Sequence, residues 1–408
     1  MKHLRIWAAV AALLVAAAVT AKERKAVIIL IDGVPKDAVE RLHVPAIYDI
    51  AAKGAFGNCL IGGQVGTWSQ TPTISAVGYN SMLTGTWAAK HNVYGNGNLS
   101  PAYQYWSLFR IAKAQERPLK TGIYSSWTDN RTVLLGEGKE ETGRLQIDIV
   151  RDGYDLDPVT YPSKPEELHV FDYDERVTQE AEKSIREDAP DLSWVYLWYT
   201  DDASHIHGNG AIFDEYILKA GEQIGRIWEA VRYRERHFGE EWMIVVLTDH
   251  GRSLDGHSHG GHSARERAGW IATNRKVNRY FKDGKAQIVD VNPSVCEFLG
   301  MTVPDEVARE RDGISFLGKT CIQELSVMPY DDEAILSWTA VRPHAKVAVY
   351  AAADNAYKEG KPQAWKHLGD IEAGQEQLRV SLKELGATKF CKFALVSPHE
   401  TLTGWLVR

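Results

Sequence analysis

The chain has 408 residues, 44% of them hydrophobic and 25% charged, with a formal net charge of −7. This length and composition predict one large globular α/β domain plus a smaller part. Because the net charge is negative and no long basic run occurs, the sequence gives no electrostatic reason to expect a nucleic-acid partner.

The first 21 residues have the pattern of a secretory signal. A short basic start, Met1–Arg5, precedes an apolar run over residues 6–19, and Val19-Thr20-Ala21 offers small residues before the chain turns polar at Lys22. We predict cleavage after Ala21 and export to the periplasm or the medium. The alternative is a membrane anchor, for which the run is short, since a span needs about 20 apolar residues.

Export has a consequence for the four cysteines, because the outside compartment is oxidising. They could pair in three ways or remain buried free thiols, and none of their spacings resembles a metal site. They are Cys59, Cys296, Cys321 and Cys391.

Strand and helix patterns alternate over residues 22–325. Continuous apolar runs such as Lys25–Ile31 predict strands buried on both faces, at 25–31, 120–124, 194–199, 242–247, 268–272 and 286–291. Helical patterns occupy 44–53, 75–84, 212–238 and 293–299. The alternation predicts a mostly parallel sheet with helices on both faces. Residues 130–190 are polar and irregular, which indicates an insertion or a lid.

The pattern changes in residues 326–408. Short strand patterns lie at 335–339, 346–351, 377–382 and 389–396, with turn residues and no convincing helix between them. This part is predicted to be a small antiparallel β-sandwich, and it resembles a fibronectin type III or immunoglobulin-like module.

Acidic residues and histidines follow three of the predicted strands. Asp32 follows the first, Asp201 and His205 follow 194–199, and Asp249-His250 follow 242–247. Ligands of open parallel sheets bind beyond the carboxyl ends of the strands. Carboxylate and imidazole together suit Zn²⁺ or a similar divalent ion.

Alternatives remain at each of these points. An aspartate at a strand end is more often a helix cap or turn residue. Asp202 and His207 compete with Asp201 and His205. The histidine-rich stretch after His250 offers three further ligands, namely His257, His259 and His262.

A nucleophile is predicted at the start of the helix over residues 75–84. A hydroxyl there, from Ser75 or Thr73, would meet the positive end of the helix dipole, where phosphate also binds. A metal ion would make its alkoxide accessible near neutral pH. The alternative is that the hydroxyl only caps the helix.

The order and spacing of these motifs resemble the alkaline phosphatase superfamily, most closely its type I phosphodiesterase and nucleotide pyrophosphatase branch. The resemblance covers roughly residues 25 to 320. It implies an alkaline phosphatase-like fold, two divalent metal ions (zinc first among them) and a small-molecule phosphate ester as substrate.

The resemblance also implies individual roles. Ser75, nine residues before Thr84-Gly85, matches the nucleophile, which favours it over Thr73. Asn96 closes a segment, Lys90–Asn96, similar to His-Gly-Ile-x-x-Asn and would donate to a phosphate oxygen. The metal ligands would be Asp32, Ser75, Asp249 and His250 for one ion, and Asp201, His205 and His259 for the other.

The chain departs from the branch at Ser75–Gly78, where these diesterases usually have Thr-Phe-Pro-Asn. The sulfatase signature Cys-x-Pro-x-Arg is absent. The predicted function is hydrolysis of phosphate mono- or diesters through a phosphoserine. The alternatives are a non-catalytic metal-binding surface protein and a hydrolase of phosphonate or sulfate esters. Lys120, Arg131 and Arg252 are candidates for contacting the non-bridging oxygens.

Overall fold

The computed structural model describes residues 22–387 and 389–408. The predicted signal sequence therefore lies outside the described residues. Among the helices of the described residues, none is both long and apolar enough to cross a membrane.

Strands and helices alternate through the first three quarters of the chain, and strands dominate the rest. The strands are β1 (Arg24–Ile31), β2 (Ala55–Leu60), β3 (Thr121–Ser125), β4 (Ile149–Arg151), β5 (Leu192–Leu197), β6 (Glu241–Leu247), β7 (Ala268–Thr273), β8 (Ile322–Tyr330), β9 (Glu333–Ala340), β10 (Lys346–Ala352), β11 (Lys366–Glu372), β12 (Gln377–Ser381), β13 (Phe390–Val396) and β14 (Thr401–Val407). The α-helices are α1 (Lys36–Leu42), α2 (Pro45–Ala51), α3 (Ser75–Thr84), α4 (Ala88–His91), α5 (Leu108–Lys113), α6 (Leu168–Glu187), α7 (Tyr199–His207), α8 (Ala211–Phe238), α9 (Arg279–Lys282), α10 (Val291–Leu299) and α11 (Asp305–Ala308).

The first seven strands form one sheet in the order β2-β7-β6-β1-β5-β3-β4. The strands from β6 to β4 in this order are parallel to one another. Strand β7 is antiparallel to both β6 and β2. The predicted mostly parallel sheet is therefore confirmed, and β6, β1 and β5 lie side by side at its centre.

Helices cover both faces of this sheet, and β1 shows why its sequence is apolar throughout. Successive side chains of a strand point to opposite faces. Ala26, Ile28 and Leu30 join a core with α3 and α10, whereas Val27 and Ile29 join a second core with α6 and α8. A parallel strand covered on both faces cannot alternate with polar residues.

The C-terminal part consists of two antiparallel sheets, as expected for a sandwich. Their orders are β11-β10-β13-β14 and β12-β9-β8. The core of this part is continuous with the core that contains α3 and α10. Strand β8 begins at Ile322, before residue 326, and the division into separate domains remains a prediction.

The predicted strand over residues 286–291 is wrong. Ile288–Asp290 forms a 3₁₀ turn that continues into α10. The buried Asp290 carboxylate accepts hydrogen bonds from the Gln287 amide at 2.7 Å and the Tyr280 hydroxyl at 2.9 Å. This capping interaction bends the chain where the apolar pattern predicts extension.

Residues 130–190 are also more regular than predicted. Helix α6, of 20 residues, buries Val170, Tyr173, Val177 and Ala181, which follow helical spacing. It packs against β3 and β5 on one face of the sheet. Most of its remaining residues are charged, so the helical spacing of the few apolar residues is hard to recognise in the sequence.

The four cysteines, whose pairing was left open, are all buried free thiols. Burial raises the pKa of Cys296 to about 11 and that of Cys391 to about 12. These thiols are therefore poor nucleophiles at neutral pH.

Two glycines of α8 give a matched test of how closely this helix packs. A Cβ at Gly221 would lie 2.4 Å from Val44 Cγ1, whereas one at Gly225 would lie 3.5 Å from Ala46 Cβ. We expect Gly225→Ala to stabilise the protein by about 0.5–1 kcal/mol, because alanine loses less backbone entropy in a helix. Gly221→Ala should destabilise it by about 1–3 kcal/mol through overpacking. Chemical denaturation measures both, and equal shifts in one direction would contradict this packing.

Candidate metal centre and nucleophile

The carboxyl ends of β6, β1 and β5 bring most of the predicted ligands together. Asp32 directly follows β1, Asp249 and His250 follow β6, and Asp201 lies in α7, which follows β5. The Gly33 amide donates to Asp249 Oδ1 at 3.1 Å, which joins the ends of β1 and β6. The sheet order thus makes neighbours of residues far apart in sequence.

One buried cluster surrounds the predicted nucleophile. His250 Nε2 lies 3.3 Å from each of Asp32 Oδ1, Asp249 Oδ2 and Ser75 Oγ. Asp32 is 1% exposed, Asp249 and His250 are fully buried, and Ser75 is the first residue of α3. Asp249 Oδ2 has no hydrogen-bond partner in the described protein. The cluster has the composition of a cation site and includes a hydroxyl.

A second, more open cluster lies beside the first. His205 Nε2 is 3.3 Å from Asp201 Oδ2 and 3.1 Å from His259 Nε2. His259 Nε2 is 3.7 Å from Asp201 Oδ1, and its ring stacks on that of His250 with centroids 3.7 Å apart. The His205 side chain is 39% exposed, so this side of the site faces solvent.

The three histidines are all held in the tautomer that binds metal ions. Their Nδ1 atoms each face a backbone carbonyl, in the pairs His250–Gly251 (2.9 Å), His205–His257 (2.7 Å) and His259–Thr73 (2.9 Å). Because a carbonyl only accepts, Nδ1 must carry the hydrogen, and Nε2 of the neutral ring presents a lone pair. The Nε2 atoms of His205 and His259 then face each other, an arrangement that a cation or a proton between them would stabilise. The residues present fit divalent ions.

Burial and neighbouring charges shift the pKa values of the site residues, in several cases in opposite directions. Burial, with the charge of Asp32 in addition, raises the pKa of Asp249 well above its ordinary value. Burial also disfavours the charged form of His250, but Asp249 and Asp32 outweigh it and raise the pKa of His250 to about 9. Burial and the neighbouring His250 lower the pKa of His259 to about 4. The carboxylate-rich side therefore attracts positive charge.

Arg252 compensates the third carboxylate. This fully buried residue donates from Nη2 to the Asp201 carbonyl at 3.0 Å and also to Asp201 Oδ1. Burial opposes ionisation of Asp201, but Arg252 outweighs it, so the pKa of Asp201 is lowered. A Cβ at Gly33, where φ is +64°, would lie 2.2 Å from Arg252 Nη2. Glycine at this position makes room for the guanidinium.

The other two cationic candidates lie elsewhere. Lys120 precedes β3 and so lies at the amino ends of the parallel strands, away from the two clusters. It donates to the Asp188 carbonyl at 2.9 Å. Arg131 forms ion pairs with Asp152 at 2.6 Å and Glu137 at 2.7 Å. Both side chains have structural partners, and neither contacts the two clusters.

The competing ligands also have other contacts. His257 Nδ1 bonds to the His205 carbonyl at 3.0 Å, and His207 Nε2 lies 3.4 Å from Glu166. Asp202, His262 and also His205 are in neither of the two ligand groups found among the described residues, which are Asp32-Asp249-His250 and Asp201-His250-His259. His205 differs from the other two because its Nε2 lies 3.3 Å from Asp201 Oδ2 and 3.1 Å from His259 Nε2.

Asn96 is held at the start of α3, the helix that begins with the predicted nucleophile. Its Oδ1 accepts from the Ala76 amide at 2.9 Å. Because that oxygen is occupied, the Nδ2 group is left to donate. Asn96 itself is exposed, so the donor is accessible from solvent beside Ser75.

Two tyrosines were missed by sequence reasoning. Tyr196 donates to Asp32 Oδ2 at 2.7 Å, and Tyr79 donates to the same oxygen. They hold that oxygen and leave Oδ1 facing Ser75 and His250. Helical spacing offered a signal, since Tyr79 is one turn after Ser75 on the same face of α3.

A buried carboxylate supports the helix that carries Asp201. Asp174 of α6 accepts from the Trp198 and Tyr199 amides, each at 2.8 Å, and from Ser126 Oγ at 2.5 Å. These amides lie at the start of α7, where backbone donors lack partners within the helix. Burial raises the pKa of Asp174 to about 7. No sequence motif identifies this long-range cap.

Comparisons with solved structures show the same fold in two distant proteins and a weaker similarity to a third. A putative sulfatase from Bacteroides thetaiotaomicron VPI-5482 superposes with a TM-score of 0.53 at 13% identity, covering 89% of this chain and 86% of that one. BT1596, a 2-O GAG sulfatase, gives 0.51 at 14% identity with coverages of 89% and 86%. Murine ectonucleotide pyrophosphatase/phosphodiesterase 5 gives 0.45 at 12% identity with coverages of 69% and 96%.

Among the curated proteins, none matches the chain significantly. Residues 26–332 match the family described as type I phosphodiesterase / nucleotide pyrophosphatase. This match includes all seven strands of the main sheet, apart from the first two residues of β1, and both clusters. The chain therefore belongs to the type I phosphodiesterase/nucleotide pyrophosphatase family, which consists of hydrolases of the alkaline phosphatase superfamily.

Proposed function

We propose that the chain is an exported, metal-dependent hydrolase of phosphate esters in which Ser75 is the nucleophile. The observation that carries the proposal is the convergence of three carboxylates and three imidazole Nε2 atoms in two adjoining clusters, one of which contains the buried Ser75 hydroxyl. A set of this kind is suited to divalent ions, zinc first among them.

The two clusters divide the ligands. Asp32, Ser75, Asp249 and His250 would hold one ion, and Asp201, His205 and His259 the other. Bound ions would supply Lewis acidity for the oxygens around phosphorus and lower the pKa of the serine hydroxyl.

The chain's own groups account for the covalent steps. Ser75 Oγ releases its proton to solvent and attacks phosphorus, the bond to one ester oxygen breaks, and that alcohol leaves with a proton from solvent. A phosphoserine remains, which still carries the second alcohol as an ester when the substrate is a diester. Water then attacks its phosphorus, the bond to Ser75 Oγ breaks, the serine oxygen takes a proton, and the phosphate product, a monoester when the substrate is a diester, leaves. Asn96 Nδ2 binds a non-bridging oxygen and donates more strongly as charge develops there.

Phosphodiesters are the substrates that the site fits better. A monoester dianion has a further terminal oxygen that needs a positive partner. Among the described lysines and arginines, only Arg252 contacts the two clusters, and it is bound to Asp201. A diester carries one negative charge less, and Asn96 with the metal ions suffices for it.

Export is part of the proposal and rests on the sequence of residues 1–21. Amino-terminal sequencing of the chain recovered from the periplasm or medium of an expressing bacterium should begin at Lys22. A chain retained in the cytoplasm that begins at Met1 would contradict it.

Ser75→Ala tests the nucleophile. We expect kcat on bis-p-nitrophenyl phosphate to fall by at least about 10³-fold, because no other hydroxyl takes this place, while the metal content is retained. The covalent phosphoserine, trapped by acid quench and located by mass spectrometry, should be lost with it. Ser184→Ala, which removes a buried hydroxyl bonded to Tyr124 on the other face of the sheet, is the control and should keep its activity.

The same assays separate the alternatives. Wild-type protein should contain two equivalents of a divalent metal and should prefer the diester to p-nitrophenyl phosphate by at least about 10-fold. Metal binding without turnover of any ester would indicate a non-catalytic metal-binding protein. Preference for p-nitrophenyl sulfate or a phosphonate monoester would assign the site to those substrates instead.

Tyr196→Phe tests the support of Asp32. Removing its hydroxyl leaves Asp32 Oδ2 with one phenol donor instead of two, so the affinity for the metal ion should fall by about 10-fold or more, as for other groups that orient a ligand. Competition with a chromophoric chelator measures this. The control is Tyr124→Phe, which also removes a buried phenol hydroxyl, bonded to Ser184 at 2.6 Å. Equal metal affinities in the two variants would show that the tyrosine pair does not support the site.

A further inference from the structure

Two lysines buried between the main sheet and the C-terminal strands have no contact with the metal clusters. Lys90 of α4 and Lys392 of β13 both have fully buried side chains. Lys90 Nζ donates to Asp312 Oδ1 at 2.5 Å and to Thr403 Oγ1 of β14 at 3.0 Å. Lys392 Nζ donates to Glu310 Oε1 at 2.5 Å. Removing one partner of a buried ion pair leaves the other charge buried and unpaired, which is strongly destabilising. These pairs therefore restrict how the two segments can lie against each other.

Aromatic rings complete the surroundings of Lys90. Its Nζ lies 5.2 Å from the centroid of the Trp68 ring and 5.5 Å from that of Trp405, and the two rings stack 5.0 Å apart. Trp405 belongs to β14, whereas Trp68 lies in the segment that leads to Ser75. Cation–π contacts of this kind are strongest when desolvated. Lys90 therefore fastens the approach to the nucleophile to the C-terminal sheets.

The segment that follows Lys90 is tied to the same sheets on both sides. Lys358 Nζ donates to the Ala89 carbonyl at 2.9 Å, and the Tyr357 hydroxyl donates to the Gln104 carbonyl at 2.7 Å. Asn96 lies between these two points. The backbone that carries it is thus held at both ends by C-terminal residues.

We propose that Lys90 is a positioning residue for Asn96 and that the C-terminal strands are a working part of the active site. This inference rests on the proposed role of Asn96. The amide side chain of Asn96 touches the nucleophile helix through the Ala76 N–H, and Lys90 is six residues before it. The exposed Asn96 side chain can hold its Nδ2 group beside Ser75 only if the backbone of Asn96 is fixed. The buried contacts of Lys90 help to fix that backbone.

A double-mutant cycle on the metal-loaded full-length chain tests the proposal. The variants are Lys90→Met, Asn96→Ala and the double variant, assayed as kcat/KM on bis-p-nitrophenyl phosphate well below their unfolding temperatures. We expect Asn96→Ala to lose about 10²-fold. Lys90→Met should lose about 10-fold, and the double variant should be no worse than Asn96→Ala, because both changes remove the same contact.

Lys392→Met is the matched control. It leaves a buried acid unpaired in the same network but has no hydrogen bond to α4, so it should lower the unfolding temperature and keep kcat/KM within about twofold. If Lys90→Met does not fold, Thr403→Val replaces it in the cycle, because it removes one hydrogen bond from the side of β14.

Two results would overturn the positioning role. One is a loss from Lys90→Met that multiplies with that of Asn96→Ala, and the other is a lowered unfolding temperature with unchanged kcat/KM. A wild-type rate for Asn96→Ala alone would show instead that the proposed role of Asn96 is wrong, and the role of Lys90 would fall with it. In that case a loss of activity in Ser75→Ala would still support Ser75 as the nucleophile.

Discussion

Three buried carboxylates, those of Asp32, Asp201 and Asp249, lie within 4 Å of a single imidazole nitrogen at the ends of adjacent strands. Withdrawing like charges from water into one place is unfavourable unless positive charge or hydrogen bonds compensate them. Arg252 pairs with Asp201, and two phenols bond to Asp32, but Asp249 Oδ2 has no hydrogen-bond partner among the described groups. The crowding explains why the site is suited to divalent cations.

The fold was predictable where one local pattern agreed with tertiary packing. The helix at Ser75–Thr84 and the strand ending before Asp32 follow their apolar patterns, because buried parallel strands and the helices on them leave little choice of residue. The prediction failed around Asp290, whose carboxylate is satisfied by Gln287 and Tyr280. An apolar run of six residues does not distinguish a strand from a turn entering a helix. The decisive interaction there involves side chains that no local window contains.

The candidate site shows the same limit. Its metal-ligand residues could be proposed because strand ends and motif spacing are local features, and sheet order then brings them together. Lys120 and Arg131 were weaker candidates for contacting the substrate, since the sequence around a charged residue does not say at which end of the strands it lies. The tyrosines on Asp32 and the Asp174 cap act across elements distant in sequence. Only the packed structure relates such residues to the ligands that they support.

The two halves of the site differ in exposure, and this difference suits their proposed tasks. Asp249 and His250 beside Ser75 are fully buried, whereas the His205 side chain is 39% exposed. A nucleophile benefits from a fixed, dry environment, because its groups then need no reorganisation during attack. The departing alcohol and the incoming water need access to solvent instead. The open side, at Asp201, His205 and His259, is therefore where we propose that the alcohol leaves. The ends of β1 and β6 and the start of α3 supply the buried half, and α7 with the segment between β6 and β7 that carries His259 supplies the accessible half.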